Sequence, residues 1–498
     1  MRSFVGTIIT GAALVSLALP PSAKAADEAK PQDLQQKVDA LTKEVNALKA
    51  QTKKVEDKSI GKWLTIGGDY RFRLDSLRGT VPDYFQFMGP GAMPQATPGY
   101  HPNNDTLMTN RFGLNLKAKA TQDVTVSTRL LMYKTYGMET ANATNAGFFA
   151  DRSSILDGTI GHVPSDNTLR VDQVFATWSN IGEQPFWISI GRRPSTGGSP
   201  THLRQDNERP GNGGVPGLLV DYAFDGATIG YAPDISFLPG AYTKLCAGRG
   251  FEAGYNHTGM GANSLNDTDM VGLQVVPVDI DPIRIDFQYN RGFNIFDNPN
   301  AVGNELGDID WYGVGLLSAL KDFGPGTLNA FASVGVSITH PNGKQALVAG
   351  PGSPESGAGL MANAGDFHDR TGYAGYAGIR YDLPSATKIG LEYNHGSKYW
   401  IPFDPASDDM WTAKLGARGN VYEAYLIQEL PLAPISSFVS KAFFKLGYQY
   451  YDFDYTGSNN WVGAPVKISQ LTASPMNAQM FPPLKSAQDI YGTFEVKF

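Results

Sequence analysis

From Leu64 onward the chain returns again and again to segments of about ten residues in which apolar and polar side chains alternate. In the first, Leu64, Ile66, Gly68, Tyr70, Phe72 and Leu74 interleave with Thr65, Gly67, Asp69, Arg71, Arg73 and Asp75. Successive residues of a strand point to opposite faces, so one face here is greasy and the other ionic. The same pattern runs through 112–119, 124–130, 283–290, 388–394 and 444–451. A sheet with these two faces fits between lipid and water, and the segment length suits a tilted membrane strand.

The connections sharpen that reading. Short turns are expected near Thr121-Gln122, Ile181–Gln184, Asp225-Gly226, Pro277–Pro282, Asp322–Pro325, Leu383–Ser385 and Leu430–Ser437. Between them lie polar stretches rich in Gly, Pro, Asn and Asp at 76–107, 137–167, 194–214, 234–267, 293–307, 339–370, 397–419 and 453–486. Seven short turns alternating with eight long loops require sixteen antiparallel strands, an even number as in bacterial outer-membrane barrels. The expected fold is an all-β, 16-stranded antiparallel transmembrane β-barrel over 62–498, in the cell outer membrane.

Composition excludes the competing classes. Charged residues are 18% and hydrophobic ones 42%, and no apolar run of 18 residues follows the first 20 positions, so helical spans are not expected in the mature chain. Aromatics at 11% are too plentiful for disorder. Cys246 is the sole cysteine, and haem-attachment and zinc Cys-x-x-Cys pairs are missing, so no cofactor or metal is expected. The net charge is −7, and no nucleic-acid partner is expected.

The N-terminus reads as an export signal over 1–25: Arg2, an apolar stretch at 4–19, then Ala23-Lys24-Ala25 for cleavage. Residues 26–61 read as a short periplasmic coiled-coil helix. Leu34, Val38, Leu41, Val45 and Leu48 follow heptad steps and leave one narrow apolar stripe. Three heptads cannot bury that stripe alone, so the stripe pairs with copies of itself or lies on its own barrel. The a/d residues by themselves favour two strands over three.

The layout of signal, short heptads and a barrel ending in Phe498 resembles outer-membrane porins, several of which carry an N-terminal periplasmic coil. The terminal Phe498 resembles the signal by which barrel-assembly machinery takes up such proteins. Gly67-Gly68-Asp69-Tyr70-Arg71-Phe72-Arg73 and Ile190-Gly191-Arg192-Arg193-Pro194 look like segments of a poorly characterised porin-like family of metal-reducing bacteria. The resemblance implies a homotrimer in outer-membrane lipid that passes small anionic or neutral solutes.

In such a barrel the chemistry lies in the lumen, whose wall charges set selectivity. The alternation points Arg71, Arg73, Arg111, Lys117, Lys119, Arg129, Arg193, Arg284, Arg380, Lys388, Lys445 and Lys497 inward, against Asp69, Asp75, Asp221, Asp286, Asp382, Glu392 and Glu495. Twelve cations against seven acids suggest an anion-leaning pore, with a neutral salt-bridge ladder as the alternative. The strand near 169–179 has two conflicting registers, Leu169 and Val171 against Val174, Ala176 and Trp178.

By resemblance to sixteen-stranded porins, the third long loop folds inward as a constriction. It would set Arg204 and Arg209 opposite the wall arginines, with Asp206 and Glu208 as counter-charges; a surface loop fits the residues equally. Acids at 297–310 match no Ca²⁺ loop and read as solvated, and Cys246 falls in the fourth loop. A barrel enzyme would need a catalytic group at the wall, and none is recognisable, so no enzymatic activity is expected. A barrel sheath around a separate multihaem cytochrome, as an electron conduit, is the second functional class.

Overall fold

The computed structural model describes residues 63–89, 91–138, 164–195, 197–209, 216–252, 266–297, 304–347, 357–404, 409–432 and 440–498. The expected signal and the heptad positions Leu34, Val38, Leu41, Val45 and Leu48 lie outside the described residues.

Sixteen strands form one closed antiparallel barrel. In chain order they are β1 Leu64–Thr80, β2 Asn103–Lys119, β3 Val124–Thr135, β4 Arg170–Ser179, β5 Phe186–Ser195, β6 Tyr222–Tyr231, β7 Tyr242–Phe251 and β8 Thr268–Asp279. They continue with β9 Arg284–Phe296, β10 Glu305–Phe323, β11 Gly326–Pro341, β12 Arg370–Asp382, β13 Thr387–Gly396, β14 Gly419–Glu429, β15 Lys441–Phe453 and β16 Ser486–Lys497. Each strand pairs with its sequence neighbours, and β1 closes on β16, with Asp69 opposite Lys497 and Thr80 opposite Ser486. Closure leaves no unpaired edge, which a sheet facing lipid cannot tolerate.

The alternation decides which face is which. Ile66, Leu74, Ile190, Leu245, Phe287, Val334, Leu391, Leu446 and Ile490 are exposed on the outside, while Arg71, Arg73, Arg284, Asp286, Glu392 and Lys445 are buried inside. The conflicting register of β4 is resolved by a bulge. Pairing slips between Arg129/Gln173 and Leu130/Val171, so both Val171 and Val174 face outward while Asp172 turns in.

At the seam the terminal Phe498 exchanges backbone hydrogen bonds with Gly68. Its ring lies on Gly68, where an added Cβ would stand 2.7 Å from the ring and 2.5 Å from the Gly113 carbonyl. Only glycine lets the ring settle there.

One stretch departs from the expected layout. Asp225-Gly226 is not a turn but the middle of β6, paired with Arg192 and Gly191 on one side and Arg249 and Gly248 on the other. Gly226 serves close strand approach, since a Cβ would meet the Ala247 carbonyl at 2.1 Å. The connection at the short-turn end is instead the ten residues 232–241, inside what reads as a long loop. Cys246 therefore belongs to β7, on its inner face, where it accepts a hydrogen bond from the Thr228 hydroxyl at 3.0 Å. The strand count survives because one turn was misplaced rather than lost.

Candidate pore constriction

The barrel is not an empty pipe. The third long loop turns inward and carries a single helical turn, α1 Thr201–Arg204, all four residues of which are buried. Its neighbours are wall side chains from β12 to β16. Arg380 donates to the Leu203 carbonyl at 2.6 Å, Lys445 to the Arg204 carbonyl at 3.3 Å, and Lys497 to the Asp206 carbonyl at 2.7 Å. The Asp206 carboxylate receives Lys388 at 2.6 Å, Lys441 at 2.5 Å and Arg380 at 3.4 Å.

The contacts of the loop differ from the expected pairing at its arginines. Asp206 does answer wall cations. Arg204, however, does not oppose wall arginines; it reaches Asp409 at 2.6 Å and Glu423 at 3.3 Å. Arg209 pairs with Asp279 at 3.1 Å, and Glu208 is exposed. A cation inside a barrel rich in other cations seeks the carboxylates that alternation alone did not reveal.

Electrostatics at the loop follow from this packing. Burial alone would raise Asp206, but Lys441 and Lys388 outweigh it and hold the carboxyl well below the usual carboxylate range. Burial alone would lower Arg204, yet Asp409 and Glu423 keep its guanidinium firmly protonated. His202 has no such partner acid. Burial, reinforced by Arg380, Arg209 and Arg284, pushes its imidazole down to about 3, so it is neutral at physiological pH.

Behind the loop lies a buried ionic knot. Lys414, from the seventh long loop, donates to both Glu392 on β13 and Glu423 on β14. Tyr376 donates to Glu392 at 2.5 Å and Tyr491 to Glu423 at 2.6 Å. Side chains of Lys414, Glu392 and Glu423 are at most 2% exposed.

The remaining expected wall residues are placed as follows. Arg71 stacks on Tyr133, and Arg73 bridges Asp75 at 2.6 Å and Asp489 at 2.8 Å. Arg129 bonds Asp69 at 2.7 Å and faces Asp172 at 3.6 Å; Arg111 stands 3.7 Å from Asp69. Arg193 donates to Ser189 at 2.9 Å and to the Thr228 hydroxyl. Arg284 takes Asp279 at 2.6 Å and the Tyr242 hydroxyl at 2.8 Å. Arg380 grips Asp382 at 2.7 Å, Lys388 also takes Glu429 at 2.6 Å, and Lys445 lies 3.6 Å from Glu495. Lys117 and Lys119 are exposed at the short-turn end of β2. Much of the wall is thus the salt-bridge ladder rather than a bare basic surface. Inward cations that the alternation did not expose are Lys244, in the misplaced β7, and Lys441.

Two spaces differ along this axis. Toward the short-turn end a cavity of about 430 Å³ opens between β1–β4 and the third loop, lined by Asp69, Arg111, Arg129, Gln205, Asn207 and Lys497 among others. Toward the long-loop end apolar loop side chains pack against the inner wall. Trp400, Ile401, Phe403 and Leu415 of loop 397–418 pack with wall residues Trp311, Phe331 and Tyr376, and with Trp461 from the last loop. Met410 and Trp411 enter a second cluster with Leu77, Tyr133 and Tyr451. Arg418, 1% exposed, stitches these loops by donating to the Trp400 carbonyl at 3.1 Å, the Thr456 carbonyl at 3.0 Å and the Asn460 carbonyl at 2.6 Å. The tryptophans and methionine clustered at 400–411 were the available signal for this plug. The acids near 297–310 are paired too, Asp308 with Arg291 at 2.8 Å and Asp310 with His340 at 3.0 Å.

A family model described as "Protein of unknown function (DUF3373)" matches residues 101–498, so the chain belongs to that family. No curated protein matches. Among solved structures, the chain is similar to an anion-selective porin from Comamonas acidovorans at 11% identity and TM-score 0.42, over 87% of this chain and 99% of that one. OprB of Pseudomonas putida gives 11% identity and TM-score 0.42 over 88% and 95%. Salmonella typhi OmpF in complex with daunomycin gives 11% and 0.40 over 87% and 97%.

Proposed function

We propose that this member of the DUF3373 family is an outer-membrane porin, a passive channel for small hydrophilic solutes with a modest preference for anions. One observation carries the reading: a closed sixteen-stranded wall that is apolar outside and ionic inside. Such a wall has only one stable setting, lipid around it and water or polar groups within. Exported β-barrels of this kind reside in the outer membrane, with short turns on the periplasmic side.

The inward-folded third loop acts as the constriction, with Arg204, Asp206 and Arg209 as its anchors. Arg71, Arg73, Arg111, Lys117, Lys119, Arg129, Arg193, Arg284, Arg380, Lys388 and Lys445 line the pore wall. A modest anion preference is supported by the short-turn end, where the cavity-lining Arg111, Arg129 and Lys497 and the exposed Lys117 and Lys119 nearby outnumber the lining acids Asp69, Asp172, Asp221 and Glu495 by one. A low-dielectric mouth with that charge concentrates anions. The heptads at Leu34, Val38, Leu41, Val45 and Leu48 hold a homotrimer together. The sheath reading has no comparable support: Trp400, Phe403, Trp411 and Trp461 pack against inner-wall side chains and narrow the bore that a haem protein would need.

Planar-bilayer recording of the purified chain tests both parts. Discrete conductance steps with a reversal potential shifted toward anions in a salt gradient are expected. A clear cation preference removes the anion part, and silence under all voltages removes the channel.

A further inference from the structure

Five cations from the inner wall converge on one short stretch of the third loop, three of them on the Asp206 carboxylate. Arg380 of β12, Lys388 of β13, Lys441 and Lys445 of β15, and Lys497 of β16 all contact residues 203–207 of the third loop. Their fixed counter-ions are three wall carboxylates: Asp382 with Arg380, Glu429 with Lys388 and Lys441, and Glu495 with Lys445. Without Asp206, two positive charges of this arc have no matching acid. Asp206 itself is 2% exposed and takes Lys388 and Lys441 on separate carboxylate oxygens, as a bound ligand would. Its backbone lies at φ +51°, a left-handed conformation unfavourable for a side chain with a Cβ.

We infer that the β12–β16 arc is a binding site for small dicarboxylates, and that Asp206 occupies it at rest as a built-in stand-in for the solute. Withdrawing the loop without a replacement would leave Lys388 and Lys441 sharing the one carboxylate of Glu429, which is unfavourable in a desolvated arc. An arriving carboxylate removes that penalty by making the same charge-assisted hydrogen bonds. Solute and loop therefore exchange, and the constriction opens when a fitting anion is present. Two unmatched charges favour a dianion over a monoanion. Access runs through the cavity of about 430 Å³, which shares Gln205, Asn207, Glu495 and Lys497 with this site. The inference rests on the channel reading for the solute's route, but binding itself does not require conduction.

The test is succinate binding to the detergent-purified full chain, measured by equilibrium dialysis at fixed ionic strength. Asp206→Asn empties the site of its resident charge and is expected to bind succinate at least tenfold tighter than the parent. Adding Lys388→Gln and Lys441→Gln to that variant is expected to abolish the gain. Equal or weaker binding by Asp206→Asn overturns the inference. Should the Asn variant not fold, as judged by loss of heat-modifiable gel migration, the parent chain still decides. A nitroxide on Asn207→Cys, in a Cys246→Ser background, should gain mobility saturably with succinate and not with sodium chloride of matched ionic strength; unchanged mobility overturns the inference. Tight binding by a chain silent in bilayers would instead remove the channel reading and leave the site standing.

Discussion

Two regions inside the barrel hold charge under opposite conditions. Behind the third loop the ionic knot of Glu392 on β13, Glu423 on β14 and Lys414 from the seventh long loop is sealed, its side chains at most 2% exposed. At the short-turn end of β1–β4, Asp69, Arg111 and Arg129 border an open cavity, with side chains 17–20% exposed, although Arg73 and Asp75 farther along β1 are buried. One barrel thus offers a dry sector, where each charge depends on its partner, and a wet sector, where water shares the load. The difference assigns roles. The dry sector fixes the loop, and the wet sector presents its field to solutes.

The strongest break of that contrast is Glu423→Ala. It removes one of the two carboxylates that hold Lys414 and one of the two that hold Arg204, leaving Glu392 and Asp409, and takes the acceptor from the Tyr491 hydroxyl. Loss of one partner from a buried ionic group costs about 3–5 kcal/mol. The temperature at which the folded barrel loses its heat-modifiable migration should fall markedly. A fall no larger than that of an exposed-pair variant would erase the distinction between the sectors.

Trp400→Ala attacks the plug instead of the ions. The indole is fully buried and donates to the Leu415 carbonyl at 2.7 Å, so its removal should cost about 3–5 kcal/mol if the loop cannot collapse. Because loop 397–418 also carries Lys414 and Asp409, loosening it frees the supports of Arg204. Larger and noisier single-channel conductance is the expected result; unchanged conductance would separate the plug from the constriction.

The wall was legible in the sequence because its physics is local. Period-two alternation at Leu64–Asp75, or at Phe444–Tyr451, states the outward face residue by residue, and barrel closure follows from it. The lumen was not legible in the same way. Whether Arg204 meets an arginine or Glu423 depends on loop trajectories more than 200 residues apart in sequence. Inward acids such as Asp172 and Asp489 were hidden by a bulge and by a long final strand. Gly226 looked like a turn residue because glycine serves turns and tight strand packing alike.

His202 gives a pH handle on the dry sector. Its imidazole is held down to about 3, whereas an unfolded histidine titrates near 6.5, so below neutrality the unfolded chain binds the extra proton. Its stabilising contribution is complete above pH 6.5 and is lost as pH falls from there toward 3. Between pH 7 and pH 5 this single group removes about 2 kcal/mol. His202→Gln should flatten that part of the stability profile; an unaltered slope would mean that water reaches the imidazole.

The smallest stability effect is expected from Arg129→Ala in the wet sector, and its value lies in a different readout. Arg129 shares Asp69 with Arg111 and is partly solvated, so its loss should cost no more than about 1 kcal/mol. The same change leaves Asp69 and Asp172 with less positive charge at a mouth where the field is least screened by protein contacts. The reversal potential should therefore move toward cations while the melting temperature scarcely changes. A large drop in stability with no shift in selectivity would assign Arg129 to the structural ladder, and the two sectors would then differ in hydration but not in role.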